Sequence, residues 1–72
     1  MNIQQLLGNN VRGIREVKGW SQDMLSDMSG LHRTYISGIE RGVRNPTVEI
    51  VQRIASALDV PVTDLFKENN NK

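Results

Sequence analysis

Glycine at 19, 30 and 42 and proline at 46 and 61 cut this chain into short segments, each with room for one short helix. Within the segments, apolar residues recur every three or four positions, the period of a helix buried along one face. No segment alternates as a strand does. Ile3, Leu7, Val11, Ile14 and Val17 form one such stripe and predict a helix over about 3–18, stopped by Gly19. Ser21 is the natural cap of a second helix, with Asp23 in its first turn at the positive end of the helix dipole. Trp20 can close over Leu25 as a hydrophobic staple. Gly30 ends that helix, and a third is expected from about His32 to Arg41, before Gly42. Pro46 biases Asn45 to an extended conformation. Thr47 then caps a fourth helix whose core side is Val48, Val51, Ile54, Ala55 and Leu58. Pro61 opens a short fifth helix that carries Leu65 and Phe66 inward. The expected domain spans residues 1–66, and the polar stretch 67–72 is expected to be a frayed or disordered tail.

At 72 residues there is room for one core, and a core of this size supplies only about 3–5 kcal/mol of net stability. The chain has no cysteine and one histidine, His32, so neither disulfides nor a metal site reinforce it. No metal or cofactor is expected. A second copy of the chain is the remaining source of support, and a homodimer is expected on that ground. No apolar run approaches the roughly 20 residues of a membrane span, and no signal-peptide pattern opens the chain, so a cytoplasmic protein is expected. The net charge of +1 excludes little, but its distribution is informative. Residues 21–31 carry −2 and residues 32–45 carry +2, placing a basic band beside an acidic one.

The second helix is expected to end at Ser29 and the third to begin near Arg33, across a turn that contains Gly30. That is helix-turn-helix spacing. On the third helix, Ile36 and Ile39 point one way and Leu31 joins them from the turn. The opposite side collects Thr34, Ser37, Gly38 and Arg41, with Arg33 at its edge. A solvated face would look similar, but a helix exposing only hydrogen-bonding groups and a glycine also suits a DNA major groove about 12 Å wide. Arg33 can reach guanine O6 and N7, and Thr34 can offer its methyl or hydroxyl to a base. Gly38 costs about 1 kcal/mol relative to alanine inside a helix, and is read here as allowing close backbone approach to DNA. Tyr35, on the flank, serves either packing or a phosphate. No cluster of acidic or histidine residues converges on one helical face, so no catalytic site is expected.

The residues Leu7-Gly8, Val11-Arg12, Ile14-Arg15-Glu16, Lys18 to Gln22, Leu25, Gly30-Leu31, Tyr35 to Gly42, Arg44 to Thr47, Ile54-Ala55, Leu58 and Leu65-Phe66 form a recognisable pattern. It closely resembles the lambda-repressor-like (Xre/Cro-type) family of helix-turn-helix regulators over residues 7–66. Within that family, segment 33–42 looks most like the controller proteins of restriction–modification operons. The resemblance implies an all-α, five-helix fold with helices two and three as the helix-turn-helix, and a homodimer on a near-palindromic operator. It implies a phosphate contact at Gln22, base contacts at Arg33, Thr34, Ser37 and Gly38, and backbone contacts from Arg41, Arg44 and Asn45. It also pairs Arg15 with Glu40 as a structural ion pair. An activator of this kind would have RNA polymerase as a further partner. Met24, Ser26, Ser29 and His32 depart from the family pattern. Met24 removes half of a capping box, the two serine hydroxyls are expected to bond back to preceding carbonyls, and His32 is either a plain cap or a phosphate contact.

Ile50 and Ala57 lie seven residues apart on helix four, about 100° from its core centre. Neither is needed for the core, and Ile50 with Val60, Val62, Leu65 and Phe66 is the expected subunit interface, the last two having the monomer core as an alternative place. The competing function is an antitoxin-type or other protein-interaction module on the same fold. A long segment that folds on binding would mark it, and the six-residue tail is too short for one.

Overall fold

Side chains cap three of the four helices. Asn2 Oδ1 accepts the amides of Gln4 (2.9 Å) and Gln5 (3.3 Å), Ser21 Oγ that of Met24 (3.0 Å), and Thr47 Oγ1 that of Ile50 (3.2 Å). In the computed structural model, which describes residues 2–68, these caps open α1 (Ile3–Val17), α2 (Gln22–Ser29) and α4 (Val48–Leu58). The remaining helix, α3 (Arg33–Glu40), starts at His32 without a side-chain cap. Met1 and 69–72 lie outside the described residues, and with them most of the expected tail. The fifth predicted helix is a single 3₁₀ turn, Val62–Phe66, because five residues after Pro61 are too few for α-helical propagation. No strand occurs among the described residues. The chain is all-helical.

Helix α1 packs on α3 and on the 3₁₀ turn, while α2 packs on α3 and α4. Leu7 and Val11 meet Leu25, Ile36, Ile39, Val51, Ile54, Ala55, Leu58 and Leu65 in one core. Three predicted core positions are corrected. Ile3, Val17 and Val48 are 58%, 89% and 86% exposed, because each is a terminal residue of its helix and projects past the neighbouring elements. The end of α4 is also unforeseen: Asp59 takes the left-handed conformation there (φ 59°), a role usually left to glycine or asparagine.

The C-terminal turn is tied to the first helix. Asn10 Nδ2 donates to the carbonyls of both Leu65 and Lys67, at 2.9 Å each. Lys67 Nζ also pairs with Asp64 at 2.9 Å. These contacts reach Lys67, one residue past the expected boundary at 66.

The α1–α3 crossing is closer than apolar periodicity requires. Gly8 lies against the end of α3, where a Cβ would stand 2.7 Å from the Glu40 carbonyl oxygen and closer still to that of Ile39. Backbone meets backbone there, and neither side can rotate away. Gly13, on the same helix, has open space around it. Gly8→Ala should therefore destabilise by at least about 1–3 kcal/mol, whereas Gly13→Ala should stabilise by up to about 1 kcal/mol. Thermal melts of the two variants should move in opposite directions.

Candidate nucleic-acid interface

The connection from α2 to α3 is Gly30-Leu31-His32. Gly30 ends α2 in the left-handed conformation (φ 76°), with its amide on Ser26 O. Two serines hold the turn that follows. Ser26 Oγ donates forward to Leu31 O, and Ser29 Oγ accepts the Leu31 amide at 3.3 Å. Back-bonding was the expectation for both hydroxyls. Only Ser29 makes it, in a long 3.5 Å contact to Ser26 O. The turn offers unpaired backbone groups that a preceding helical carbonyl does not, so the hydroxyls go there. Leu31 is held half-buried against the core.

The angle of α3 is fixed from its other end. Arg15 Nε and one terminal nitrogen bind the Glu40 carboxylate at 2.7 and 3.0 Å, and the other terminal nitrogen donates to Trp20 O at 2.7 Å. Gln22 Nε2 adds a bond to Glu40 Oε1 at 3.0 Å. Both charged side chains are buried, and every buried side-chain polar atom among the described residues has a partner. The hydrogen bonds that Arg15 donates to the Glu40 carboxylate raise its pKa above the ordinary arginine value against the opposing effect of burial. A base whose pKa is raised by folding contributes stability in full below its unfolded value and loses it only as pH rises through the folded one. On the arginine side, the pair is therefore constant through neutral pH. Trp20 packs half-buried against the core, with Lys18 Nζ 5.2 Å from its ring centroid.

On α3, Ile36 and Ile39 are fully enclosed, while Arg33, Thr34 and Arg41 are exposed and Ser37 half-exposed. At 100° per residue these four polar positions fall within an arc of about 100°. Gly38 stands apart from them. It is buried, and a Cβ there would lie 2.6 Å from Arg44 Cγ and 3.2 Å from Arg44 Nε. In this structure the space that Gly38 leaves is filled by the stem of Arg44. The guanidinium of Arg44 continues over the Tyr35 ring, 5.7 Å from its centroid, while the Val43 amide bonds Gly38 O at 3.0 Å. The loop after α3 is thereby folded back onto the flank of that helix. Periodicity could not show this, because it reports which way a helix faces and not what a later loop lays on it.

Gln22 is half-buried, and one of its amide protons is already committed to Glu40. Asn45 is exposed, beside an apolar groove of about 290 Å³ lined by Ile3, Leu7, Pro46, Val48, Val51, Val62 and Phe66. His32 makes no side-chain cap bond, which removes the plain-cap reading. Arg33, by contrast, has an unforeseen partner in Asp23, 3.3 Å away. Of the residues expected at a subunit interface, Ile50, Val60, Val62 and Phe66 are half-buried at the core's edge. Leu65 is 0% exposed and is corrected to a residue of the monomer core, which the 3₁₀ turn points inward. No group of three or more His, Asp or Glu residues among those described is placed to hold a metal ion, and no described helix is long and apolar enough to cross a membrane.

Residues 11–65, which include α2, the turn and α3, match the helix-turn-helix family model. The chain belongs to the helix-turn-helix family. Among its relatives is the control protein C.BamHI of Bacillus amyloliquefaciens, 48% identical over 66 residues that span 90% of this chain and 82% of that one. The crystal structure of the restriction–modification controller protein C.AhdI from Aeromonas hydrophila superposes with a TM-score of 0.85 at 40% identity, covering 88% of this chain and 96% of that one. The C.Esp1396I controller tetramer, solved with its natural 35 base-pair operator, gives 0.80 at 32% identity, with 93% and 99% covered. In this helix-turn-helix chain, the ion pair at the end of α3 sets the attitude of the exposed helix. Glu40→Gln should cost about 3–5 kcal/mol by leaving Arg15 buried and uncompensated. The double replacement Arg15→Met with Glu40→Leu should recover most of that loss. Urea midpoints of the single and double variants measure both effects.

Proposed function

We propose that this chain is a sequence-specific transcriptional regulator of the controller-protein type, binding a near-palindromic operator as a homodimer. The observation that carries the reading is the face of α3. Arg33, Thr34, Ser37 and Arg41 are presented together, and the core, the serine-clamped turn and the Arg15–Glu40 pair hold that face rigid. Similarity to C.Esp1396I, solved on its operator, supports the same use here.

In this reading Arg33 and Thr34 read base edges in the major groove, and Ser37 adds a shorter contact. Gly38 sets no base contact of its own; it seats Arg44. Arg41, Arg44 and Asn45 meet the sugar–phosphate backbone, and Tyr35 supports Arg44 while its hydroxyl turns toward phosphate. Gln22 contributes its remaining amide proton and the free backbone amides at the start of α2 to a phosphate. The homodimer forms through Ile50, Val60, Val62 and Phe66. Two reading helices then stand about 34 Å apart, one turn of DNA. The DNA-binding domain takes in residues 1–66 with the Asn10-held Lys67. The regulator works in the cytoplasm and is not an enzyme. If it activates transcription, RNA polymerase is its further partner.

Arg33→Ala should weaken binding to the preferred site by about 1–3 kcal/mol and relax the choice of one base pair per half-site. Arg44→Ala should weaken binding to all sequences alike. It should also reduce the log–log salt slope by about 0.9 for each phosphate it had neutralised. Site selection from a random DNA pool, followed by salt titrations, tests both. Sites selected by Arg33→Ala that match those of the parent would end the base-reading role.

The dimer is tested separately. Ile50→Glu with Val62→Glu, both at the edge of the core, should yield a folded monomer in sedimentation with much weaker operator affinity. A double variant that still sediments as a dimer would move the interface elsewhere.

A further inference from the structure

Gly38 lies inside α3 and is buried, yet a loop residue covers it rather than the core. The three atoms nearest to where its Cβ would stand all belong to Arg44: Cγ at 2.6 Å, Nε at 3.2 Å and Cδ at 3.5 Å. Inside a helix, glycine is less favourable than alanine. The fold recovers little of that through Arg44, which is exposed and whose guanidinium stands 5.7 Å from the centre of the Tyr35 ring. A cation–π contact at an exposed site is weak. Arg44 also makes no ion pair among the described residues. What the notch at Gly38 provides is position. The Val43 amide is held by Gly38 O at 3.0 Å, so the backbone leading into Arg44 is anchored over the same glycine. With its root anchored, the arginine cannot retreat as a unit from a methyl group at 38. The stem has to turn about its own torsions, and the guanidinium then leaves the ring. A long side chain already held in one arrangement spares part of the ordering that binding otherwise demands.

We propose that Gly38 is a positioning residue that sets affinity for DNA of any sequence, by holding Arg44 along α3 for a backbone phosphate. This rests on the backbone contact given to Arg44 above, and it makes a glycine that no DNA atom touches a determinant of binding. Gly38 acts only through Arg44.

The test is Gly38→Ala, measured on the selected operator and on a random duplex of equal length. Affinity for both should fall by the same factor, roughly three- to tenfold, and no further than Arg44→Ala lowers it. The thermal midpoint should hold or rise, because alanine is the better helix former and the exposed arginine can turn aside. In the parent without DNA, proton NMR should show Arg44 close to both Gly38 and the Tyr35 ring, and the contact with the ring should be gone in Gly38→Ala. In an Arg44→Ala background, Gly38→Ala should change neither affinity. A loss that persists without Arg44 overturns the proposal, because DNA would then be meeting the helix backbone at 38. A loss confined to the operator overturns it too, since Gly38 would then act on base choice. So does a lower thermal midpoint, which would make the notch a packing site of the fold, and so does an unchanged affinity beside a weakened Arg44→Ala. Should Arg44→Ala itself bind with the affinity and salt slope of the parent, the backbone contact of Arg44 has failed and the role of Gly38 falls with it, a result distinct from a silent Gly38→Ala.

Discussion

Arg15, in the last turn of α1, and Glu40, the last residue of α3, are 25 positions apart and meet away from water through two hydrogen bonds. Trp20 O and the Gln22 amide complete the cluster, so four stretches of chain converge on one carboxylate and one guanidinium. Burying two charges is costly, and the mutual attraction compensates only when geometry and remaining hydrogen bonds are satisfied. Here they are. The pair adds little net stability over an apolar substitute, but it defines one angle between α1 and α3 where a greasy contact would permit several. The Gly8 backbone resting against the carbonyls beside it makes that angle tighter still.

Helix α3 inherits its rigidity from both ends. At its C-terminus are the ion pair and the glycine contact. At its N-terminus a turn of three residues is held by Ser26 and Ser29 rather than by a cap on the helix itself. Preorganisation of this kind lowers the ordering cost of binding. It also explains how a chain of 72 residues with a small core can present a fixed surface.

Much of this was legible in the sequence, and the pattern of what was not is physical. Ser21, Thr47 and Gly30 announced helix ends because capping is local chemistry. Leu7, Val11, Leu25, Ile36 and Ile54 announced the core because helical period is local geometry. Val17 and Val48 carried the right period and still face outward, since periodicity does not say where neighbouring helices stop. The exposed placement of Arg33, Thr34 and Arg41 followed from α3 alone. Gly38 and Arg44, the Asn10 clamp and the Asp23–Arg33 pair did not, because each depends on segments brought together only by the fold. Gly38 is the instructive case: a costly glycine on a polar side suggested a ligand, and the chain's own arginine fills the space.

Leu65 is fully enclosed in the core, and Asn10 grips the carbonyls on either side of Phe66. On a ribosome the four helices emerge first, with one wall of their core still missing. Contacts between residues 10 and 65–67 are among the most distant in sequence that this fold makes, and loop closure delays such contacts relative to local ones. The core therefore lacks its last wall until the segment through Lys67 has been synthesised. Shortening it by a few residues before Lys67 would remove a wall and not merely a tail.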